Sequence, residues 1–230
     1  MVCHSGVLAA SLSKGFALLK DCGIIATPEP KDIMSSVKIE HIRQRLANYQ
    51  PSPLTIEASM RAAVALLLQP HDNDLRVLFI HRAPHPHDPW SGHMAFPGGM
   101  QDPGDADLLA TIQRETEEEV GVDLVRYGEY LGRLAEVQPM ARGRLVSMTV
   151  TPFVYRVSSE ISLTTDPVEV QDTIWVPFAF MQQNGVETMT RHVLPDNTAI
   201  EVPALIYGGK TIWGLTYRVL REFLGLITEK

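Results

Sequence analysis

Three carboxylates, Glu115, Glu118 and Glu119, lie within five residues of one another in the run Arg114-Glu-Thr-Glu-Glu-Glu-Val-Gly121, downstream of the pair Gly98-Gly99. On a helix turning 100° per residue these three fall on one arc, while Glu117 points away. Leu108, Leu109, Ile112 and Val120 fill the neighbouring arc with Thr116 among them, which puts Glu119 at the edge of a buried face. Like charges at i,i+4 destabilise a helix, and a half-buried carboxylate without a partner is costly. Both costs disappear when a hard divalent cation sits among the oxygens. Mg²⁺ usually takes one or two carboxylates, keeps waters and shares a substrate phosphate. The spacing therefore reads as a magnesium site for a phosphate-containing substrate, with a solvated acidic helix face as the alternative.

Such a site needs a helix, a loop before it and a sheet beneath it. The helix is expected from about Asp107 to Val120, stopped by Gly121. Ala62–Leu68, nearly all apolar, reads as a central strand, and Leu75–His81 as a second strand across the turn His-Asp-Asn-Asp. Pro84, Pro86 and Pro89 predict a stiff, extended loop up to Trp90. Further strands are expected near Leu131–Glu136, Val146–Val157, Thr173–Val176, Arg191–Leu194 and Ala204–Tyr207. Residues 38–48 predict a short helix, and Trp213–Leu226 an amphipathic one that buries Leu215, Val219, Leu220 and Phe223. Strands mixed with a few helices indicate an α/β sheet covered on both faces.

Composition narrows the classes. The chain has 230 residues, 45% of them apolar and 20% charged, which fits one core-forming domain over residues 34–230. Residues 1–33 are expected as a loosely packed extension, or the native start is Met34. The net charge of −7 argues against nonspecific binding to nucleic acid, whose phosphates require a basic face. Cys3 and Cys22 offer no disulfide or metal framework, so reducing cytoplasm is the expected compartment. No apolar run approaches the roughly 18 residues of a membrane span. Residues 6–19 lack the basic leader and cleavage site of a signal peptide.

The acidic run resembles the Nudix box, G-x5-E-x7-R-E-U-x-E-E-x-G-U with U apolar. Arg114, Glu115, Glu118, Glu119, Gly121 and Val122 match in register, and Thr116 stands in the first apolar slot. Ala106 and Met100 occupy the leading Glu and Gly positions. Read as Gly99-x5-Asp105-x8-Arg114, the loop is one residue longer, which is similar to the coenzyme A pyrophosphatase branch. Gly92-x3-Phe96-Pro-Gly-Gly99, Asp166-Pro-Val-Glu169-Val170 before Trp175-Val-Pro177, and Ile212-Trp-Gly-Leu-Thr216 resemble that branch too. Its L-R-x-H element is missing, and Ala-Pro-His-Pro-His-Asp-Pro-Trp-Ser follows Arg82 instead.

The resemblance implies an α/β/α sandwich with a mixed sheet, and a metal-dependent hydrolase of a nucleoside diphosphate joined to another group. Coenzyme A or an acyl derivative is the first-choice substrate; ADP-ribose, nucleotide sugars or nucleoside triphosphates are the rivals, and a nucleotide-sensing module without turnover is a further class. Glu115 and Glu119 are the expected metal ligands, and Glu118 the group that orients or deprotonates the attacking water. Arg82, Gly98, Gly99 and Trp90 are the expected substrate contacts. A homodimer is left open as the assembly.

Several of these residues carry two readings. Arg114 touches a phosphate or orients a box carboxylate through a bidentate pair, the latter implied by the resemblance. Arg82 contacts a diphosphate or closes a rim salt bridge. Trp90 lines the pocket or anchors its loop in the core. Glu169 is a base or a brace for the following strand, and Arg142 and Arg144 meet a nucleotide phosphate or remain surface residues. Gly208-Gly-Lys-Thr211 lacks the first Gly of a phosphate-binding loop and reads as a turn before the last helix. His81, His85, His87 and His93 are separated by prolines and do not read as a zinc site, although His93 follows the Gly92 turn into the carboxylate region.

Overall fold

The computed structural model describes residues 30–52, 54–86, 88–141, 143–194 and 197–228, with side chains from residue 38. Cys3, Cys22, His87 and Arg142, and residues 1–29 of the expected extension, lie outside the described residues. The chain begins with helix α1 (Pro30–Asn48), then β1 (Met60–His71), β2 (Asp74–Arg82), and the short β3 (Met94–Ala95) and β4 (Gly98–Met100). Helix α2 (Leu108–Val120) and α3 (Leu124–Tyr127) precede β5 (Gly128–Arg133), the hairpin β6 (Met140–Ala141) and β7 (Arg144–Leu145), and β8 (Met148–Val157). β9 (Val170–Pro177), α4 (Phe178–Met181), β10 (Glu187–Val193), β11 (Ala199–Tyr207), β12 (Lys210–Trp213) and α5 (Gly214–Thr228) complete it.

The main sheet is mixed, in the order β3-β2-β1-β8-β5, with β9 on β2 and β4 on β1. β1 runs parallel to β8 and antiparallel to its other partners. Its apolar run is explained by burial on both faces. Leu66 and Leu68 join Val77 and Phe79 of β2 under α1 and α5, where Ile42, Leu220 and Phe223 meet them. Ala63, Ala65 and Leu67 face the other way, with Leu78 and Ile80, onto Leu108, Ile112 and Val120 of α2. The expected α/β/α sandwich with a mixed sheet is what the chain forms. A separate antiparallel sheet, β10-β11-β12, carries the chain into α5.

β1 and β2 pair only from Leu68 to His71; further back, β4 takes the place of β2 against Ala62–Val64. Gly98 makes that insertion possible. Its φ is +144°, and a Cβ there would stand 2.1 Å from the Ala63 carbonyl oxygen. The glycine pair is thus the seam where the loop before α2 enters the sheet.

Several elements differ from the sequence reading. α1 begins at Pro30, eight residues before the expected start, since proline is well suited to a first helical turn. The strand expected at Leu131–Glu136 is Gly128–Arg133, with an irregular register between Tyr130 and Gly132, where φ reaches +151°. Gly208 and Gly209, both with positive φ, make the β11–β12 hairpin turn, and a strand intervenes before the last helix. Pro86 and residues 89–92 are turns where the sequence predicts an extended loop, with bonds from Asp88 N to His85 O, Ser91 N to Asp88 O and His93 N to Trp90 O.

Candidate active site

Helix α2 is fixed at both ends by its own sequence. Asp107 caps it, its carboxylate accepting the Ala110 N–H at 2.8 Å. Gly121 ends it at φ +70°, its N–H returning to the Glu117 carbonyl at 2.9 Å. Between those ends Leu108, Ile112, Thr116, Glu119 and Val120 are buried, while Glu117 is exposed as the helical arc requires. Thr116 carries a cost: its buried hydroxyl has no hydrogen-bond partner.

Glu119 lies inside the protein, its side chain only 2% exposed. Its Oε2 accepts the Gly98 N–H at 2.7 Å, and Arg82 Nη1 stands 3.9 Å from Oε1. Burial pushes the carboxyl up to about 8, against the opposing pull of the Gly98 amide and Arg82. Glu115, one turn earlier, is pushed upward by burial as well, with Arg114 opposing. Gly99 lies against it: a Cβ there would be 2.4 Å from the Glu115 Cδ, so any larger residue must push that carboxylate aside. Both glycines, expected as substrate contacts, therefore touch the carboxylates directly.

Arg114 gathers the acidic groups of the preceding loop. Its Nε and Nη2 bind the two oxygens of Asp105 at 3.1 and 2.9 Å, and Nη2 also donates to the Met100 carbonyl. This bidentate pair holds the Asp105 carboxyl well below the usual range and the Arg114 guanidinium well above its own. Nη1 lies 2.9 Å from Glu115 Oε1 and 2.9 Å from Glu118 Oε2. Arg114 thus sits among carboxylates in the orienting arrangement. Glu118 departs from the expected cluster: it is 56% exposed and drawn toward Arg114, four residues earlier on the same helix. Among the described residues no three His, Cys, Asp or Glu side chains converge closely enough to hold a metal by themselves.

The opposite wall begins at Arg82. Its Nε and Nη2 both donate to Asp88 Oδ2, at 2.9 and 2.7 Å, while Asp88 Oδ1 accepts the Trp90 N–H at 2.9 Å. Arg82 is therefore both rim salt bridge and neighbour of Glu119. The Trp90 ring packs on the main core, and its indole N–H donates to the Met140 carbonyl of the β6–β7 hairpin at 3.0 Å. Arg144 is exposed on that hairpin.

A fourth carboxylate closes the arrangement. Glu169 acts electrostatically on both Glu115 and Glu119 and raises each. Its loop is tied to the C-terminal end of α2 by Thr164 N to Val120 O and Asp166 N to Glu119 O, and to the Arg82 strand by Ala83 N to Glu169 O at 2.8 Å. The sequence reading favoured a bracing role. Its side chain is exposed and acts on Glu115 and Glu119 from a loop whose place the β9–β2 register and the bonds to α2 decide together. Asp88 was missed altogether, although an Asp two residues before a loop tryptophan is a typical Asx-turn signal.

The site thus combines two helix-borne carboxylates, Glu119 buried and Glu115 partly so, a glycine pair on β4 against them and Arg82 beside Glu119, within an α/β/α sandwich. Residues 59–196, more than half of the chain, match the model of the NUDIX domain. The chain belongs to the Nudix family.

The Nudix hydrolase NudL of Photorhabdus laumondii is 30% identical over 135 residues, 57% of this chain and 67% of that protein. The human mitochondrial coenzyme A diphosphatase NUDT8 is 31% identical over 134 residues, 57% of this chain and 54% of that protein. A solved NUDIX domain, that of Shewanella oneidensis NrtR complexed with ADP ribose, is 28% identical, covers 60% of this chain and 84% of its own, and has a TM-score of 0.41. The chain spans between 32% and 67% of the length of the first curated relatives it matches. Among the described residues no helix is long and apolar enough to cross a membrane.

Proposed function

We propose that this chain is a metal-dependent hydrolase that splits the diphosphate of a nucleoside diphosphate linked to another group, with coenzyme A or a short acyl-coenzyme A as first choice. The observation that carries this reading is the pair Glu115 and Glu119 one turn apart on one helix, Glu119 buried and Glu115 partly so, with Arg82 3.9 Å from Glu119. A buried carboxylate with so little compensation fits a cation beside it, and the donors are the hard oxygens that Mg²⁺ or Mn²⁺ prefers. Glu115 and Glu119 would hold the metal, which would supply charge neutralisation at the diphosphate and polarisation of the attacking water.

The other roles belong to the chain's own groups. Arg82 binds the diphosphate, its fork kept in place by Asp88. Gly98 and Gly99 keep the floor thin enough for phosphate to approach the carboxylates, and Trp90 shapes the wall above. Arg114 orients Glu115. Glu118, exposed at the mouth, takes the proton of the attacking water, and Glu169 is the second group placed to do so. The reaction belongs to a reducing compartment, the cytoplasm, in keeping with only two cysteines in the chain.

Coenzyme A is favoured by the Gly99–Asp105 spacing, by the Ile212–Thr216 segment and by the name of the human relative. A second reading, ADP-ribose or a nucleotide sugar, is favoured by residues 83–91, which replace the element that marks the coenzyme A branch. A product-resolved screen of coenzyme A, ADP-ribose, nucleotide sugars and NADH under excess Mg²⁺ tests both. Coenzyme A should give a phosphopantetheine and adenosine 3′,5′-bisphosphate with the highest kcat/KM. A tenfold higher value for ADP-ribose or a nucleotide sugar overturns the substrate choice, and no turnover of any compound overturns the hydrolase.

A further inference from the structure

Three ring side chains from distant segments meet on the Arg82 side of the site. Trp213 ends β12, His192 stands on β10 and His93 follows the Gly92 turn. The Trp213 ring centroid is 4.3 Å from that of His192 and 4.7 Å from that of His93, and the two imidazoles are 6.4 Å apart, edge to face. All three are only partly buried, so the rings are neither core nor freely solvated.

The cluster is braced from several directions. The His93 carbonyl accepts the Arg82 N–H at 3.0 Å, and its own N–H donates to the Trp90 carbonyl at 3.1 Å. Lys210, in the hairpin that carries Trp213, lies 3.1 Å from His81 Nδ1, and His81 Nε2 lies 3.2 Å from the Gly92 carbonyl oxygen. An ammonium donates, so Nδ1 accepts and Nε2–H donates to the carbonyl. This relay joins the Trp213 hairpin to the His93 turn. Lys210 is held in turn by Asp172 at 3.3 Å. Arg82 and Asp88 both act on the His93 ring, which burial and the neighbouring His192 keep toward its neutral form. A continuous path therefore runs from Glu119 through Arg82 to a pre-set group of rings.

We propose that His93, His192 and Trp213 form the shelf on which the nucleobase of the substrate stacks while its diphosphate lies at Arg82 and the carboxylates. The inference rests on the nucleotide reading above and deepens it. A planar heteroaromatic base suits such a shelf, since stacking is tolerant of base identity and polar ring edges can meet the base's own donors and acceptors. It also gives a role to Trp213, in a segment otherwise explained only as a strand end.

The test is binding of adenosine 5′-monophosphate to the full chain, with ribose 5-phosphate as the control that lacks a base. The imidazole signals of His93 and His192, followed by ¹H–¹³C NMR, should move with the nucleotide and stay still with the sugar phosphate. Trp213→Leu should weaken nucleotide binding about tenfold, the size expected for loss of one stacking contact, and Trp213→Phe should largely preserve it. His192→Ala, at a partly exposed strand position, should weaken binding with an unchanged Tm, and it carries the test with Trp213→Phe if Trp213→Leu does not fold. Unmoved imidazole signals, variants that bind like the wild type, or no binding at millimolar nucleotide overturn the shelf. A protein that stacks the nucleotide here but hydrolyses nothing keeps the shelf and loses the hydrolase. One that hydrolyses nucleoside diphosphate compounds with an unchanged KM in Trp213→Leu keeps the hydrolase and loses the shelf.

Discussion

The α2 wall presents carboxylates and the facing wall a guanidinium, that of Arg82 paired with Asp88, and the two are built by different means. On α2, Glu119 is fixed by burial and a single backbone amide, within a helix capped at both ends by adjacent residues. Arg82 is fixed by a partner six residues away in a loop of turns, and that loop is fastened in turn to the β6–β7 hairpin through Trp90. One wall is set by local sequence and the other by contacts between segments. The anionic wall should therefore answer to substitution mainly in catalysis, and the cationic wall in substrate affinity and loop stability.

Removing a carboxylate on α2 should have the largest effect. Glu119→Gln and Glu115→Gln are each expected to lower kcat by at least about a hundredfold with the fold intact, as loss of a metal clamp does. Glu117→Gln, on the exposed side, should be near neutral in the same steady-state assay. Equal losses at Glu117 and Glu119 would break the contrast between the two sides of the helix.

Gly99→Ala probes the same wall without touching a charge. The added Cβ must displace the Glu115 carboxylate, so kcat should fall about ten- to a hundredfold, the usual consequence of an ångström-scale misplacement. A kinetic profile like the wild type's would show that the position of Glu115 does not matter.

On the cationic wall, Asp88→Asn weakens the hold on Arg82 and should raise KM several-fold while kcat changes less. Trp90→Ala removes core packing and the bond to Met140, and should lower stability by about 2–4 kcal/mol by denaturant titration, in line with truncation of a partly buried aromatic. A rise in KM for Trp90→Ala with an unchanged Tm would instead make the ring a substrate wall.

A pH slope in the metal-free protein probes Glu119 without substrate or turnover. Glu119 titrates near 8 when folded, above its ordinary 4.5, so between these values the folded state retains a proton that the unfolded chain has released. The stability it contributes is full below about pH 4.5 and is lost as pH rises toward 8. The Tm of EDTA-treated protein should fall across that window, and Glu119→Gln should flatten the fall. Identical profiles would place the titration elsewhere.

How much of this was legible in the sequence follows the same division. Helix α2, its Asp107 and Gly121 ends and the burial of Glu119 follow from helical period and capping, which need only neighbouring residues. Glu118 falls on the arc that the helical period predicts, but that arc leaves out Arg114 one turn earlier, which holds the Glu118 carboxylate. Glu169 lies 50 positions from Glu119 and is brought toward it by the pairing of β9 with β2 and by the bonds of its loop to the end of α2. His93, His192 and Trp213 come from three segments that a linear reading has no means to join. The proline-rich loop was misread as extended because proline fixes its own φ, while the Asp88 side chain decides how the turns close.

The central claim is that Glu119 belongs to a metal site, and direct binding of Mn²⁺ tests it apart from turnover. Electron paramagnetic resonance titration of the wild type should show Mn²⁺ bound, with affinity falling at least about tenfold in Glu119→Gln and unchanged in Glu117→Gln. Equal Mn²⁺ affinity in the wild type and Glu119→Gln would contradict the account.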